Sequence, residues 1–228
     1  MIKHSAYALG ATLYMPATRP DILDVVMGQK LQGLRSLVVC LEDAVAETDV
    51  QQGLNNLRNL LLGIEARGAR PSGGPILFVR PRDAAMAAVL NEWSLMRHVD
   101  GFVVPKLRLS NIREWEQAVT RSELMLMPTL ETPEVYDPGA MVELRSAMLE
   151  QLPGRIIALR IGGNDLMGCL GLRRSPALTL YSTPMSYVIP MLCGVMGSAG
   201  FALTAPVFEQ LNSPQLLEQE LALDMAHG

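Results

Sequence analysis

Aromatic residues are scarce in this 228-residue chain: Phe, Tyr and Trp together make 5% of it, while hydrophobic residues of all types make 49%. Its core must therefore be filled by Leu, Val, Ile, Ala and the 14 Met, a composition ordinary for α/β enzymes. Cysteine is nearly absent. Cys40, Cys169 and Cys193 are odd in number, lie in apolar settings and lack C-x-x-C spacing, so they read as reduced core thiols in a reducing compartment. The three histidines, His4, His98 and His227, have no metal-ligand spacing and read as surface residues. No apolar run approaches the roughly 18 to 20 residues of a membrane helix, and "MIKHSAYALG" lacks the apolar core and cleavage site of a signal peptide, so a cytoplasmic protein with no membrane partner is expected. Positive charge is also in deficit, with 19 Lys and Arg against 23 Asp and Glu. A net charge of −4 argues against nucleic acid as the main partner, because such a surface repels phosphate backbones. No G-x-S-x-G surrounds Ser5 or Ser186, which removes the serine hydrolase reading.

What is present is an alternation. The short apolar runs "ALGATLYM", "SLVVCLE", "PILFVRP", "DGFVVPK", "ELMLMPTLE", "GRIIALRIGG" and "GFALTAPVFE" read as strands. Helix-like stretches lie between them: 21–34, 50–67, 84–97, 110–121, 133–151, 184–196 and 214–226. Runs apolar on both faces suit parallel strands covered by helices, and parallel neighbours need crossovers of about a dozen residues. The sequence has no low-complexity tract, no repeat beyond this rhythm and no interdomain linker; "RGARPSGG" is the loosest segment and falls where a helix-to-strand loop belongs. The reading is a single α/β domain over 1–228, a TIM (β/α)8-type barrel that stops one β-α unit short.

In such a barrel the chemistry gathers where strands end. The first strand is followed by Arg19, the second by Glu42 and Asp43, the third by Arg80 and Arg82. Lys106 ends the fourth, Glu131 the fifth, Asp165 the sixth and Glu209 the seventh. Charges at the ends of buried strands must pair, bind an ion or face a cleft, because desolvating them alone is unfavourable. The stretch "RIGGND" spends two glycines before offering the carboxylate of Asp165. It lacks the G-x-G-x-x-G and G-K-[ST] patterns of phosphate loops. Glu131 and Asp165 end successive strands, so their carboxylates can converge on an ion such as Mg²⁺, held by two carboxylates plus water and substrate oxygens. The plainer alternative is that Asp165 is the N-cap of the helix that follows.

The ordered set "YMPATRPD", "LEDAV", "FVRPRD", "VPK", "LETPE" and "GGNDL" resembles the HpcH/HpaI aldolase and citrate lyase β-subunit superfamily, over about Leu9 to Leu170. "YSTPMSYVIPMLCG" and "GFALTAPVFE" look closer to a subgroup of C–C bond lyases associated with tellurium-resistance clusters. The resemblance implies a Mg²⁺-dependent barrel, with Mn²⁺ as a substitute, that cleaves a hydroxyacyl thioester or a hydroxy-keto acid through a metal-stabilised enolate. It implies Glu131 and Asp165 as metal ligands and Arg80 as the clamp on a substrate carboxylate or carbonyl oxygen. Arg19 and Lys106 become substrate-binding residues, while Glu42 and Asp43 form an acidic pair that orients Arg80 and metal-bound waters. A Schiff base on Lys106 is the lesser alternative, since the family works without one and a Lys at a barrel mouth is more often an ion-pair partner. The implied partner is a small acidic molecule, a CoA thioester among the candidates.

Three departures stand beside this. Cys40 replaces the Asp common in the family's D-L-E-D, Arg160 precedes the glycine pair where an apolar or aromatic residue is commoner, and the chain ends at "DMAHG" before an eighth strand. A truncated chain, a partner that supplies closure, or an open barrel are the alternatives. A missing strand leaves two exposed edges, which homo-oligomerisation would cover. The rival functional reading is a non-catalytic binding or assembly subunit that keeps the barrel pocket.

Overall fold

The computed structural model describes residues 4–227; Met1–Lys3 of the N-terminal stretch and Gly228 of the C-terminal one lie outside the described residues. Along the chain run β1 (Thr12–Pro16), α1 (Ile22–Val26), β2 (Ser36–Cys40), α2 (Val50–Ala66), β3 (Ile76–Arg80) and α3 (Ala84–Asn91). They are followed by β4 (Gly101–Val104), α4 (Ile112–Ala118), β5 (Met125–Leu130), α5 (Pro138–Gln151), β6 (Leu159–Ile161) and α6 (Gly163–Cys169). The last elements are α7 (Met185–Leu192), β7 (Leu203–Thr204) and α8 (Pro214–His227). Every one of the seven apolar runs contains a strand, and each of the pairings described below is parallel.

The chain packs as two compact units. The first comprises the chain up to Pro105 together with Arg113–Met127, and the second Lys106–Ile112 with the chain from Pro128. In the first, β1 pairs β2 (Thr12 opposite Ser36), β2 pairs β3 (Ser36 opposite Ile76) and β3 pairs β4 (Phe78 opposite Gly101). Every residue of β2, β3 and β4 is buried, as expected of strands covered on both faces. Gly101 is there for lack of room: a Cβ on it would lie 2.2 Å from the carbonyl oxygen of Met125 and 3.0 Å from the ring of Phe78. In the second unit, β5 pairs β6 (Thr129 opposite Arg160) and β6 pairs β7 (Leu159 opposite Leu203).

Helix α2 illustrates how the pattern translates into packing. Gly53, Leu57, Leu60, Leu61 and Ile64 recur on one face and are buried, and each such leucine contributes about 1.5 to 3 kcal/mol by leaving water. Elsewhere local chemistry cuts the expected helices short. The stretch 21–34 is helical only over Ile22–Val26, because Gly28, Leu31 and Gly33 adopt positive φ. The stretch 133–151 breaks at Asp137, whose Oδ1 accepts the Gly139 N–H at 2.8 Å ahead of Pro138 at the first helical position. The stretch 84–97 gives α3, started by Asp83 capping Met86 N–H at 2.8 Å, and then a separate 3₁₀ turn over Ser94–His98.

Two burial readings are corrected. Only Cys40 is a core thiol; Cys169 closes α6 in an exposed position and Cys193 is half-buried. His227 is exposed, but His4 and His98 are half-buried. Among the described residues no helix is long and apolar enough to cross a membrane.

Candidate active site

Parallel pairing brings the C-terminal ends of neighbouring strands side by side, and in the first unit three of the sequence-predicted residues meet there. Arg80 is the last residue of β3 and stands opposite Cys40, the last of β2. The Leu41 N–H then donates to the Arg80 carbonyl at 2.9 Å, which delivers Glu42 and Asp43 to the Arg80 side chain. Nη2 of Arg80 lies 2.7 Å from Glu42 Oε2 and 3.1 Å from Asp43 Oδ2. Arg80 and Glu42 are buried, whereas the Asp43 side chain is 49% exposed. Glu42 Oε2 also accepts the Asp43 N–H at 3.0 Å. Burial pushes the Cys40 thiol beneath them upward from its ordinary pKa. Arg82, the second arginine of "VRPRD", has a different task. It donates through Nη1 to the carbonyls of Leu41 and Val45 and through Nη2 to Glu47 at 2.7 Å, and so fixes the loop that carries the acidic pair.

Arg19, at the end of β1, is half exposed and its planar fork is filled from within the chain. Nε and Nη2 donate to the two oxygens of Asp21 at 2.9 and 2.8 Å. That hydrogen bonding holds the Asp21 carboxyl down at about 2.

In the second unit, Glu131 directly follows β5 and is 4% exposed. Its Oε1 accepts the backbone N–H of Lys106 at 2.9 Å. Lys106 itself sits in the left-handed region at φ 49, a conformation stabilised by Asn111, whose side chain donates to the Lys106 carbonyl at 3.1 Å and accepts from Arg108 N–H at 2.8 Å. The glycine after β6 is explained by the same carboxylate. Leu130 stands opposite Ile161, and Gly162 N–H donates to the Leu130 carbonyl at 3.0 Å, so Gly162 lies against Glu131. A Cβ there would be 2.3 Å from Glu131 Cβ and 2.8 Å from its Oε2. Gly163 is nearly as confined, with Pro206 Cβ at 3.1 Å from where its own Cβ would be.

Asp165 is exposed and occupies the first turn of α6, whose N-cap is Gly162. The capping alternative for Asp165 therefore fails: the N-cap, Gly162, lies three residues before it. The position still favours a carboxylate, through the partial positive charge of a helix start. Asn164 beside it donates to Glu209 Oε1 at 2.5 Å, and Tyr136 OH donates to the Leu166 carbonyl at 2.6 Å, which ties α6 down. Asn111, Tyr136 and Asn164 were not singled out in the sequence, because single Asn and Tyr residues in loops carry no pattern.

Among the described residues no group of three or more His, Cys, Asp or Glu is placed to hold a metal. Glu131 and Asp165, the two carboxylates that the sequence offers as ligands, follow the parallel neighbouring strands β5 and β6. That fits Mg²⁺, which keeps several waters and is commonly held by one or two carboxylates plus substrate oxygens.

Residues 3–228 match the family model described as a C–C bond lyase of the TIM-barrel fold. The chain belongs to this family. No curated protein matches it by sequence. Among solved structures, RipC from Yersinia pestis is similar at 16% identity and a TM-score of 0.68, covering 95% of this chain and 84% of that one. The Haloferax volcanii malate synthase magnesium/glyoxylate complex is similar at 15% identity and a TM-score of 0.74, covering 95% and 69%. An HpcH/HpaI aldolase/citrate lyase family protein from Burkholderia cenocepacia is similar at 10% identity and a TM-score of 0.61, covering 92% and 84%. At these identities the likeness is one of fold, and it bears out the α/β, TIM-barrel-type architecture expected from the β-α rhythm, with seven strands among the described residues.

Proposed function

We propose that this C–C bond lyase family member is a divalent-metal enzyme that makes or breaks a carbon–carbon bond next to a carbonyl in a small acidic substrate. The observation that carries the reading is the setting of Glu131: a carboxylate 4% exposed, fixed by the Lys106 amide, with a glycine kept against it and a second carboxylate three residues further on. A buried carboxylate at the end of a parallel strand, held in one rotamer, is a candidate ligand for an ion or a substrate. Glu131 and Asp165 would hold Mg²⁺ or Mn²⁺, which when bound supplies Lewis-acid polarisation of a carbonyl oxygen.

The chain's own residues then do the following. The Lys106 N–H takes one oxygen of Glu131 and so fixes the rotamer of that carboxylate. Arg80 binds an oxyanion of the substrate, for which a planar guanidinium is better shaped than an ammonium. Glu42 and Asp43 orient Arg80 by sharing its Nη2. Arg19 is a second substrate-binding arginine on condition that substrate displaces Asp21, and Lys106 contributes a cation. The malate synthase of the comparison is a magnesium/glyoxylate complex, and another structure of it is a pyruvate/acetyl-CoA ternary complex, which supports a small oxo acid, with a CoA thioester as the candidate co-substrate. Self-association and a cytoplasmic location complete the proposal.

The test is calorimetric titration of Mg²⁺ and Mn²⁺ into wild type, Glu131→Gln and Asp165→Asn. Binding by wild type and its loss in both variants is expected. Wild-type protein that binds neither ion at millimolar concentration would overturn the metal assignment.

A further inference from the structure

A cavity of about 220 Å³ in the second unit lies among β6, β7, α7 and α8. Its walls are apolar, from Ile161, Ile189, Leu203 and Met225, but five polar side chains line it: Tyr181, Cys193, Thr204, Asp224 and His227. None of these belongs to the site described above. Three observations indicate that the cavity is built to receive something.

First, Asp224 is half-buried there, and among the described residues its one hydrogen bond is from Tyr181 OH to Oδ1 at 2.7 Å. Burial pushes its carboxyl above the ordinary carboxylate range, and Glu220, one helical turn earlier, adds to the rise. Secondly, the Thr204 hydroxyl is buried with no hydrogen-bond partner among the described residues. Buried polar atoms are nearly always satisfied, so an orphan hydroxyl on a residue that lines the cavity leaves an acceptor for a molecule entering there, reached by rotation about χ1. Thirdly, the polar end is held in place. Glu220 pairs with Arg174, both side chains being about 5% exposed or less, and its Oε2 accepts the Leu180 N–H at 3.0 Å. This fixes α8, which bears Asp224, against the segment that bears Tyr181. His227 adds an edge-to-face contact with the Tyr181 ring, centroids 5.0 Å apart.

We propose that this cavity is a second small-molecule site and that it takes a primary ammonium on a short apolar body. The charge follows from Asp224, whose field rejects an anion and stabilises a cation in a desolvated place. The donor count follows from the acceptors. An ammonium carries three N–H donors, which the Asp224 carboxylate and the Thr204 hydroxyl receive, and the Tyr181 face adds a cation–π contribution. The apolar body packs on Ile161, Ile189 and Leu203. The volume, below the roughly 300 to 1,000 Å³ of sites for drug-sized ligands, sets the size at about that of phenylethylamine.

The experiment uses the full chain and three isosteric probes, 2-phenylethylammonium, 2-phenylethanol and phenylacetate. Cys193 lines the cavity and reports occupancy: its alkylation by N-ethylmaleimide is followed by peptide mass spectrometry, with exposed Cys169 as the internal reference. At millimolar concentration the ammonium should slow Cys193 labelling and leave Cys169 unchanged, the alcohol should bind about tenfold more weakly, and phenylacetate should not protect. Asp224→Asn should abolish the preference for ammonium over alcohol, and Thr204→Val should weaken the ammonium by about fivefold. No protection by the ammonium, equal protection by the alcohol, or an undiminished preference in Asp224→Asn would each overturn the proposal. Divalent-metal titration of the same variants separates this outcome from that of the lyase reading, because neither Asp224 nor Thr204 is among the proposed metal ligands.

Discussion

The glycine of "GGND" next to the buried carboxylate gives the sharpest test of the site. In Gly162→Ala the new Cβ would start 2.3 Å from Glu131 Cβ and 2.8 Å from Oε2. Carbon atoms in contact sit at about 3.5 to 4.0 Å, so the two strand ends must separate by more than about 1 Å. Gly162 has φ −86, a value any residue adopts, so the penalty is steric and not one of backbone conformation. Overpacking of this kind costs about 1 to 3 kcal/mol. If Glu131 swings away to make room, its hydrogen bond from Lys106 N–H is lost as well, which adds about 1.5 to 3 kcal/mol for a hydrogen bond to a charged group. A loss of at least about 2 kcal/mol is expected, and at about 2 to 4 °C per kcal/mol for a chain of this length the melting temperature should fall by about 4 to 8 °C or more. The control is Gly168→Ala, within α6, where a Cβ meets nothing within 4 Å; it should leave the protein unchanged or more stable by about 0.5 to 1 kcal/mol. Thermal melts with and without Mg²⁺ on both variants supply the readout. A Gly162→Ala protein as stable as wild type, with its metal response intact, would refute the claim that the glycine exists to accommodate Glu131.

Glu42→Ala removes the buried carboxylate from Arg80 while Asp43 stays on Nη2, so the loss, measured by urea denaturation, should fall below the roughly 3 to 5 kcal/mol of a buried charge left with no partner. Arg80→Lys keeps the charge and loses the fork, so turnover of an acidic substrate should fall far more than stability does; unchanged activity in the lysine variant would remove Arg80 from the site. Arg19→Ala should let the Asp21 carboxyl climb from about 2 toward its ordinary value of about 3.9 in a ¹³C NMR titration. The sign for that pair is that its contribution is present above the ordinary aspartate pKa and is lost as pH falls through about 2. Asp224 has the opposite sign. Its raised carboxyl favours the folded state below the ordinary carboxylate pKa, and the benefit fades as pH rises through the raised value, so Asp224→Asn should flatten the decline in melting temperature across that window.

The sequence by itself determined the alternation. Six of the seven strands lie wholly inside the apolar runs and β1 passes the end of its run by Pro16 alone, because a strand buried on both faces leaves no polar alternation to confuse the reading, and "VRP", "LED" and "LET" mark strand ends because charge begins where the sheet's cover stops. Helix α2 was legible to within a residue for a similar reason, since its buried stripe repeats at the helical period. Tertiary structure decided the rest. The short α1 depends on three positive-φ residues, one of them Leu31, which no propensity would place there. The meeting of Glu42 and Asp43 with Arg80 was implied by the family's ordered motifs, but that Arg19 is occupied by Asp21 and that Lys106 serves Glu131 through its backbone amide are facts of rotamer and register, which spacing along a chain does not contain. The glycine pair shows the division most clearly. Its position after a strand was visible in the sequence, but its cause is the 2.3 Å between an absent Cβ and Glu131, a residue 31 positions away that only the pairing of β5 with β6 brings beside it.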